Sequence, residues 1–412
     1  MKSLLALVCG LILIGQSQSI QASETEIDVH GYLSRGYMKS SKYNYLAEGS
    51  KNGTTKWGEV AVNFGYQAHD RLRIGFQILA RELGTDGRYK PELDWGFLDY
   101  EVNDWLSIKY GRFFAAWGFH NDGRDADVLR NSILLPQSVY TEDNRSIALL
   151  KGFQLHGTID LDENNSLDYQ YAQGNNDINS ASSLNRDIRN TLNAQYSAAI
   201  FGATAGVPGG PFNIANPITS LDVNMNKVVN WGVVWNTQLE GLRIGYSTFE
   251  PDIDINAKVQ VIGNQYTFYD FTEPFKIVSL EYVLDDFWTY TYEHLSYAVD
   301  TVTAKGRKPF LKVQSYYHQV TYMTESNYEF GLIRSVGYND TYTGKKAIDL
   351  YTKDLGFTVR TDIQDNVTLK LEYHKMSGTG ELRPLLNSTL PTSANNLGKN
   401  WDMFMAKVTY KF

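Results

Sequence analysis

Cysteine is almost absent from this chain of 412 residues. The single cysteine, Cys9, lies in a short apolar stretch near the N-terminus. Residues 1–22 have the features of a secretory signal peptide, with an early lysine, that apolar stretch and a small residue, Ala22, before the expected cleavage point. We therefore expect a signal peptide over 1–22 and a single domain over 23–412 that contains no cysteine and no disulfide bond.

Long hydrophobic runs and excess positive charge are also missing. Beyond the leader no segment approaches the ~18 consecutive apolar residues that a membrane-spanning helix needs, which excludes a helical membrane protein. The chain has 38 Lys and Arg against 46 Asp and Glu, a formal net charge of −8. This acidic balance argues against nucleic acid as a partner.

Motifs of catalysis and metal binding are not found either. The chain has no His-Glu-x-x-His zinc motif, no Gly-x-Ser-x-Gly elbow and no phosphate-binding loop. Asp252, Asp254 and Asn256 have the spacing that begins a calcium loop, but its glycine and distal glutamate are lacking. We therefore expect no enzyme, no metal and no cofactor.

Alternation of apolar and polar residues dominates the rest of the chain. Val60, Val62 and Phe64, for example, alternate with polar or small residues, which is typical of a strand with one apolar face. Short turns and long loops alternate between such segments, as in a transmembrane β-barrel. The predicted strands lie near 27–38, 55–67, 71–83, 92–102, 105–113, 147–160, 166–174, 227–237, 241–250, 275–284, 287–298, 310–323, 327–338, 347–360, 366–377 and 400–412.

The sequence thus predicts an all-β fold, a transmembrane antiparallel β-barrel of sixteen strands. The predicted loop 251–274 could contain a further hairpin, so eighteen strands are the alternative. Aromatic residues near the short turns and the C-terminus favour a membrane-interface girdle, because Tyr and Trp prefer that boundary. These residues are Tyr66, Tyr100, Trp105, Phe287, Trp288, Tyr328, Tyr410 and Phe412.

The end of the chain resembles the terminal strand of outer-membrane barrels. One face of that strand carries Phe404, Ala406, Val408, Tyr410 and Phe412. In such proteins a final strand of this kind is the signal read by the barrel-assembly machinery, and Tyr410 and Phe412 would carry it here. With the leader and the strand layout, the chain is similar to members of the Gram-negative porin superfamily, although the acidic, proline-containing tetrad in the third loop of the general porins is absent.

The resemblance implies an outer-membrane location, contact with outer-membrane lipid, a homotrimer and a third loop that folds into the lumen. The corresponding loop here is 114–146, and charged residues are frequent in it. A constriction would then form between basic residues of the wall and acidic residues of the loop, with modest ion selectivity. The alternatives are a solvated surface loop, and wall arginines that only pair with Glu59 or Asp99 across strands. The candidate pore-lining residues are Arg73, Arg81, Lys109, Asp122, Arg124, Asp125, Asp127 and Arg130.

Three functions are compatible with these observations. The first is a porin through which small hydrophilic solutes and ions diffuse passively. The second is a substrate-specific channel for an anion or a sugar. The third is a non-conducting outer-membrane receptor or adhesin that uses the long fourth loop, 175–226.

Overall fold

The computed structural model describes residues 27–84, 87–180, 182–206, 214–304, 306–340, 347–387 and 398–412. The expected signal peptide, 1–22, lies outside these ranges. Sixteen antiparallel strands form one closed barrel in which β1 pairs with β16. The strands are β1 (Ile27–Ser40), β2 (Trp57–His69), β3 (Leu72–Leu83), β4 (Glu92–Asn103), β5 (Leu106–Phe114), β6 (Leu149–Asp162), β7 (Asn165–Asp177), β8 (Ile218–Asn236), β9 (Leu242–Val259), β10 (Gly263–Leu284), β11 (Trp288–Thr303), β12 (Gly306–Met323), β13 (Tyr328–Asp340), β14 (Tyr351–Gln364), β15 (Val367–Gly378) and β16 (Asn400–Lys411).

Helical segments occur only in the long connections of the described chain. The described ranges contain two α-helices, α1 (Glu142–Ile147) and α2 (Ser183–Thr204). Short 3₁₀ turns lie at Ser50–Asn52, Asp127–Leu129, Ile348–Leu350 and Pro384–Asn387. None of the helices in the described ranges is both long enough and apolar enough to cross a membrane.

The hydrogen bonds that close the barrel between its first and last strands extend to Phe412. The backbone N–H of Gly31 donates to the carbonyl of Phe412 at 2.9 Å, and the N–H of Phe412 donates to the carbonyl of Gly31 at 3.0 Å. A side chain at position 31 would not fit, because its Cβ would lie 2.3 Å from the carbonyl oxygen of Ala61 and 2.8 Å from the Phe412 ring. The glycine therefore makes room for the terminal aromatic ring against the first strand.

The two faces of the wall follow the predicted alternation. On β2 and β3 the rings of Phe64 and Phe76 stack at 4.6 Å on the apolar face. The opposite phase places Glu59 and Gln77 in buried positions inside the barrel. Every predicted girdle aromatic except the half-buried Tyr66 is at least 40% exposed. The prediction of an all-β, sixteen-stranded antiparallel barrel is thereby confirmed.

The eighteen-strand alternative is wrong, because 251–274 adds no strand to the wall. This segment instead lengthens β9 and β10 into one continuous hairpin that turns at 260–262. The polarity of the two faces of β9 exchanges along its length. Near its start Ile244 faces outward and Ser247 inward, whereas beyond Phe249 the inward residues become apolar, ending in Val259.

The same alternation explains the calcium-like spacing. Asp252, Asp254 and Asn256 occupy one face of β9, while Ile253 and Ile255 between them are buried on the other. The spacing of these three polar residues is therefore the two-residue period of a strand, in the part of β9 whose outer face is polar. Within the described residues no group of three or more His, Cys, Asp or Glu side chains could hold a metal ion.

The fourth loop, 175–226, contains helix α2, which the sequence analysis did not predict. Ser182 caps α2, since its side chain accepts a hydrogen bond from the N–H of Asn185 at 3.2 Å. Leu184, Ile188 and Leu192 recur at helical spacing and pack against the apolar inner face of the lengthened strands. A helix thus covers part of the barrel on the side of the long loops.

Deletion of Phe412 should sharply reduce the yield of folded barrel. It removes both backbone hydrogen bonds to Gly31 and the ring that packs there. The measurement is the amount of barrel that shifts its gel mobility on heating, since a closed sheet resists detergent until heated. Phe412→Tyr keeps the ring and the backbone and should retain near-normal yield. Equal yields for the deletion and the unmodified chain would contradict this role.

Candidate pore constriction

The third loop, 115–148 in the structure, folds into the barrel and is bonded to the inner wall. Its first part lies along β8, β9 and β11. The backbone of Ala116 exchanges two hydrogen bonds with the side-chain amide of Asn230, at 2.8 and 2.9 Å. The N–H of Gly118 donates to Ser247 at 3.2 Å, and the N–H of Phe119 donates to Glu293 at 2.7 Å.

Glu293 is a buried carboxylate that the fold uses as an anchor. Its side chain is fully buried and also accepts hydrogen bonds from Ser279 at 2.7 Å and Tyr317 at 2.8 Å. The loop approaches closely here because Gly118 has φ +59, and a Cβ at this position would lie 2.3 Å from the Glu293 carboxylate. The three hydrogen bonds that the Glu293 side chain accepts offset the free-energy cost of burying this polar group.

The middle of the loop is held by β13, β14 and β15, the last of which lies seven strands from β8 in the barrel. Lys370, 1% exposed, donates to the carbonyls of Arg130 at 2.6 Å and Ser132 at 3.1 Å. The N–H of Ile133 donates to Glu372, and Asn131 donates to the carbonyl of Glu329 at 3.0 Å. The loop therefore spans the lumen from wall to wall.

The final part of the loop returns to β3 and β4 through ion pairs. Arg81 on β3 meets Glu142 at 2.9 Å. Arg145 bridges two carboxylates, Asp125 of the same loop at 2.9 Å and Asp94 of β4 at 2.8 Å. These side chains are each less than 20% exposed, so the pairs form a largely desolvated network.

The loop separates two cavities inside the barrel. The turn-side cavity, about 650 Å³, lies towards the short turns, and the loop-side cavity, about 470 Å³, lies towards the long loops. A third and much smaller cavity, of about 20 Å³ and here called the gap, shares Asp125 with the turn-side cavity and Gln137 and Glu142 with the loop-side cavity. A space of this size holds roughly one water molecule.

The gap is lined mainly by charged side chains. Five are cationic and three are carboxylates, so positive charge is in excess. The cationic residues are Arg81, Arg124, Arg130, Arg145 and Lys407, and the carboxylates are Glu59, Asp125 and Glu142. Lys407 pairs with Glu59 at 2.6 Å, and Arg81 lies 3.8 Å from the same carboxylate.

The arginines keep the loop carboxylates ionised. Burial alone would raise the pKa of Glu142, but the charges of Arg81, Arg124 and Arg145 outweigh it and lower that pKa to about 2. For Asp125 burial likewise acts to raise the pKa, and Arg145 more than compensates, so that this pKa is also below its ordinary value.

The structure places the predicted site residues in different parts of the lumen. Four of them, Arg81, Arg124, Asp125 and Arg130, line the gap. Lys109 and Asp122 line the turn-side cavity instead. Arg73, in register with Asp99 of β4, does not line the gap. Asp127 begins the short turn Asp127–Leu129.

Four charged residues of the gap were not among the candidate pore-lining residues. Glu59 and Lys407 are recognisable as inward-facing by alternation, and Glu59 is directly opposite Arg81 in register, as the wall-pairing alternative expects. Glu142 and Arg145 lie at the end of the loop, next to β6. Glu142 and Arg145 contact residues that are distant in sequence, and no local sequence pattern indicates such contacts.

Of the comparisons with known proteins, the one with solved structures gives information on the fold. No protein-family model matches the chain, and no curated protein does. Among solved structures, OmpF of Salmonella typhi in complex with daunomycin is similar with a TM-score of 0.54 and 11% identity, over 94% of this chain and 98% of that one. The trimer form of in-vitro folded OmpT, an outer membrane protein of Vibrio cholerae, gives a TM-score of 0.53 and 10% identity, over 94% and 99%. The anion-selective porin from Comamonas acidovorans gives 0.51 and 9%, over 94% and 100%.

These likenesses span nearly the whole chain at very low identity. Together with the closed sixteen-stranded barrel they define a porin-like fold. The resemblance found at the end of the sequence therefore holds at the level of architecture.

Acidification should loosen the third loop. Because the folded-state pKa of Glu142 is below its ordinary value of 4.5, its contribution to stability is complete above about pH 4.5 and is lost as the pH falls towards 2. The full shift corresponds to an effect on the order of 3 kcal/mol. We expect the unfolding temperature, followed by heat-dependent gel mobility, to fall through this range.

Glu142→Gln is the matched variant for this prediction. It should lower the unfolding temperature at pH 7, and it should flatten the decline between pH 4.5 and 2 because one titrating group is gone. An unchanged pH dependence in this variant would show that the Arg81–Glu142 pair does not stabilise the loop.

Proposed function

We propose that the protein is an outer-membrane porin through which small hydrophilic solutes and ions diffuse along their gradients. The observation that carries the proposal is the charged gap between two cavities inside a closed barrel. A barrel of sixteen strands is too wide for wall side chains alone to fill, so an aqueous path is the expected use of its interior. The inward-folded loop supplies the narrow point of that path.

An outer-membrane location is supported by the outer surface. Apolar side chains and the exposed aromatic residues near the short turns are suited to lipid and its interface. The exchange of polarity along β9 gives the position at which that strand leaves the apolar zone. The expected leader and the fold comparisons point in the same direction. We also propose that the barrel-assembly machinery recognises Tyr410 and Phe412.

A homotrimer is part of the proposal. Its support is the fold likeness to OmpT of Vibrio cholerae, whose structure is described as a trimer form. The expectation that the protein is not an enzyme stays a prediction.

We further propose a modest preference for anions. The gap has two more cationic than anionic side chains, but most of its charges are paired at short distance, so the net field is small. One of the similar structures is the anion-selective porin from Comamonas acidovorans. Anion selectivity is a property of that protein. The charge of the gap is the reason for the proposal here.

A substrate-specific channel is the second candidate, and the narrowness of the gap favours it. In this proposal the conducting path runs through the gap, which holds roughly one water molecule and must widen before an organic solute passes. Only a solute that binds near the gap and displaces its side chains would then be transported well.

A non-conducting receptor would show no open-channel steps in a planar bilayer.

Charge reversal at the gap should change ion selectivity. In a salt gradient across a planar bilayer, Arg81→Glu should shift the zero-current potential towards cation preference, and Asp125→Lys should shift it towards anion preference. Both shifts should be larger at low ionic strength, because mobile ions in the lumen screen the field of these charges. Arg73→Glu is the matched control, since Arg73 is exposed and does not line the gap.

The control separates a local from a general electrostatic effect. Equal shifts for Arg73→Glu and Arg81→Glu would mean that the gap does not set selectivity. Each variant must first show the heat-dependent mobility of a folded barrel, because Arg81 is part of a buried ion-pair network.

Removal of most of 119–140 should enlarge the conductance. The deletion takes out the segment bonded to Glu293, Lys370 and Glu372, and it joins the two cavities into one lumen. The measurement is the single-channel conductance in potassium chloride. Unaltered conductance would show that the third loop does not obstruct the conducting path.

A further inference from the structure

The loop-side cavity has an aromatic wall that ion conduction does not require. Five aromatic rings from the neighbouring strands β10, β11 and β12 line it. The ring centroids of Phe275 and Tyr297 are 4.1 Å apart, and those of Phe271 and Phe275 are 5.1 Å apart. Tyr269 and Phe310 form a further contact at 5.5 Å. This wall offers an aromatic solute a large apolar contact area.

A carboxylate faces the same cavity. Glu381, in the loop after β15, lines it, and its Oε1 lies against β13, since a Cβ added to Gly337 would be 3.0 Å from that oxygen. Backbone hydrogen bonds hold this segment in place. The N–H of Gly380 donates to the carbonyl of Tyr351 at 2.9 Å, and the N–H of Glu381 donates to Thr352 at 3.0 Å. The carboxylate is therefore presented by an ordered segment.

The strand register places the carboxylate close to the aromatic wall. Gly337 of β13 pairs with Ser315 of β12, and Ser315 pairs with Leu295 of β11. Tyr297 follows Leu295 by two residues, so both side chains lie on the same inner face. Because neighbouring strands are about 4.8 Å apart, the carboxylate lies roughly 10 Å from the strand that carries Tyr297. One small molecule can therefore contact both features.

The described charged residues that line the cavity have a negative sum. They are three carboxylates and one guanidinium, namely Glu142, Asp187, Glu381 and Arg383. Glu142 pairs with Arg81 at 2.9 Å, and Asp187 lies 3.7 Å from the Nε of Arg383. Within the described chain Glu381 forms an ion pair with neither a lysine nor an arginine. A cationic solute therefore complements the charge of this cavity.

The surroundings of Glu381 disfavour its ionised form. Tyr45 donates a hydrogen bond to its Oε2 at 3.2 Å. Burial first, and the charge of Asp354 second, raise the pKa of Glu381 to about 7. An ammonium group beside this carboxylate would stabilise the ionised form.

We propose that the loop-side cavity binds an organic monocation with an apolar or aromatic body, of which an arylalkylammonium ion is the simplest example. The ammonium group pairs with Glu381, and the ring packs against the aromatic wall. A cavity of about 470 Å³ with an apolar lining and a few polar groups is typical of small-molecule sites. The inference deepens the proposed porin function and rests on it for any role in transport.

The position of the site relates it to the gap. Gln137 and Glu142 line both the loop-side cavity and the gap. In the proposed function the conducting path runs through the gap, so a solute bound in the cavity would obstruct the ion current.

The test is equilibrium binding by calorimetry with the purified, folded, full-length barrel in detergent. Four probes separate the charge from the ring. Tryptamine has both, tryptophol replaces the ammonium group by a hydroxyl, indole-3-propionate replaces it by a carboxylate, and propylamine lacks the ring. We expect tryptamine to bind at least about tenfold more tightly than each of the others. Equal affinity for tryptamine and any other probe, or no binding of tryptamine, would overturn the proposal.

A variant of Glu381 tests the charge pair. Glu381→Gln keeps an acceptor for Tyr45 but removes the charge, so it should reduce tryptamine affinity at least about tenfold and leave tryptophol affinity unchanged. Glu240→Gln is the matched control, an exposed carboxylate in the short turn before β9, and should alter neither affinity. Unchanged tryptamine affinity in Glu381→Gln, or an equal loss for tryptophol, would overturn the pairing.

A variant of Phe310 tests the aromatic wall. This ring is 46% exposed, so Phe310→Leu should leave the barrel folded while it weakens tryptamine and tryptophol binding by similar factors. Phe287→Leu is the matched control, 43% exposed near the short turns, and should alter neither. Unchanged tryptamine affinity in Phe310→Leu, or an equal loss in the control, would contradict the aromatic contact.

Planar-bilayer recording distinguishes failure of this site from failure of the proposed channel. Ion current in potassium chloride tests the channel without any solute, and calorimetry tests the site without any current. Current that tryptamine interrupts supports both, and binding with uninterrupted current supports the site but contradicts a conducting path through the gap. Current without calorimetric binding overturns the site alone, and binding without current supports the site and overturns the porin function.

Discussion

Closure of the backbone hydrogen-bond network is the constraint on which the rest of this structure depends. In lipid, the proposed surroundings of this barrel, a sheet cannot leave N–H and C=O groups unpaired, so the first strand must meet the last. Here β1 pairs with β16, and the bonds between Gly31 and Phe412 extend that seam to the final residue. Closure produces an interior that the wall cannot fill by itself, and a further segment of chain must occupy it.

The polar inner face of the wall serves that segment. A loop inside a barrel carries backbone groups that also need partners, and the wall supplies them from Asn230, Glu293, Lys370 and Glu372. These side chains are buried, yet each is hydrogen-bonded to the loop. Inward polarity in the sequence thus reflects contact with protein as much as contact with water.

Much of the fold could be predicted from the sequence because its signal is local. A period of two and the contrast between short turns and long loops predict sixteen strands and leave open only a further hairpin in 251–274. Helix α2 and the lengthened hairpin of β9 and β10 were missed for one physical reason. Beyond Phe249 the apolar face of β9 points inward and packs under α2. The sequence analysis assigned apolar faces to lipid contact only, and it therefore assigned this segment to a loop.

The site was predicted less completely than the fold. Arg81 and Asp125 could be found because alternation and loop length point to the lumen. The bridging role of Arg145 could not, since Asp94 and Asp125 lie 51 and 20 residues away from it in the chain. Such pairings depend on where a long loop crosses the lumen, which composition does not encode.

The third loop also acts as an internal strut. A thin cylindrical wall flattens easily under lateral pressure, because its strands can pivot about one another while keeping their hydrogen bonds. The loop ties β8 and β11 on one side, through Asn230 and Glu293, to β15 on another, through Lys370, and to β3 through Arg81. An elliptical distortion of the cross-section would have to stretch or break these ties, so the chain that narrows the lumen also keeps it round.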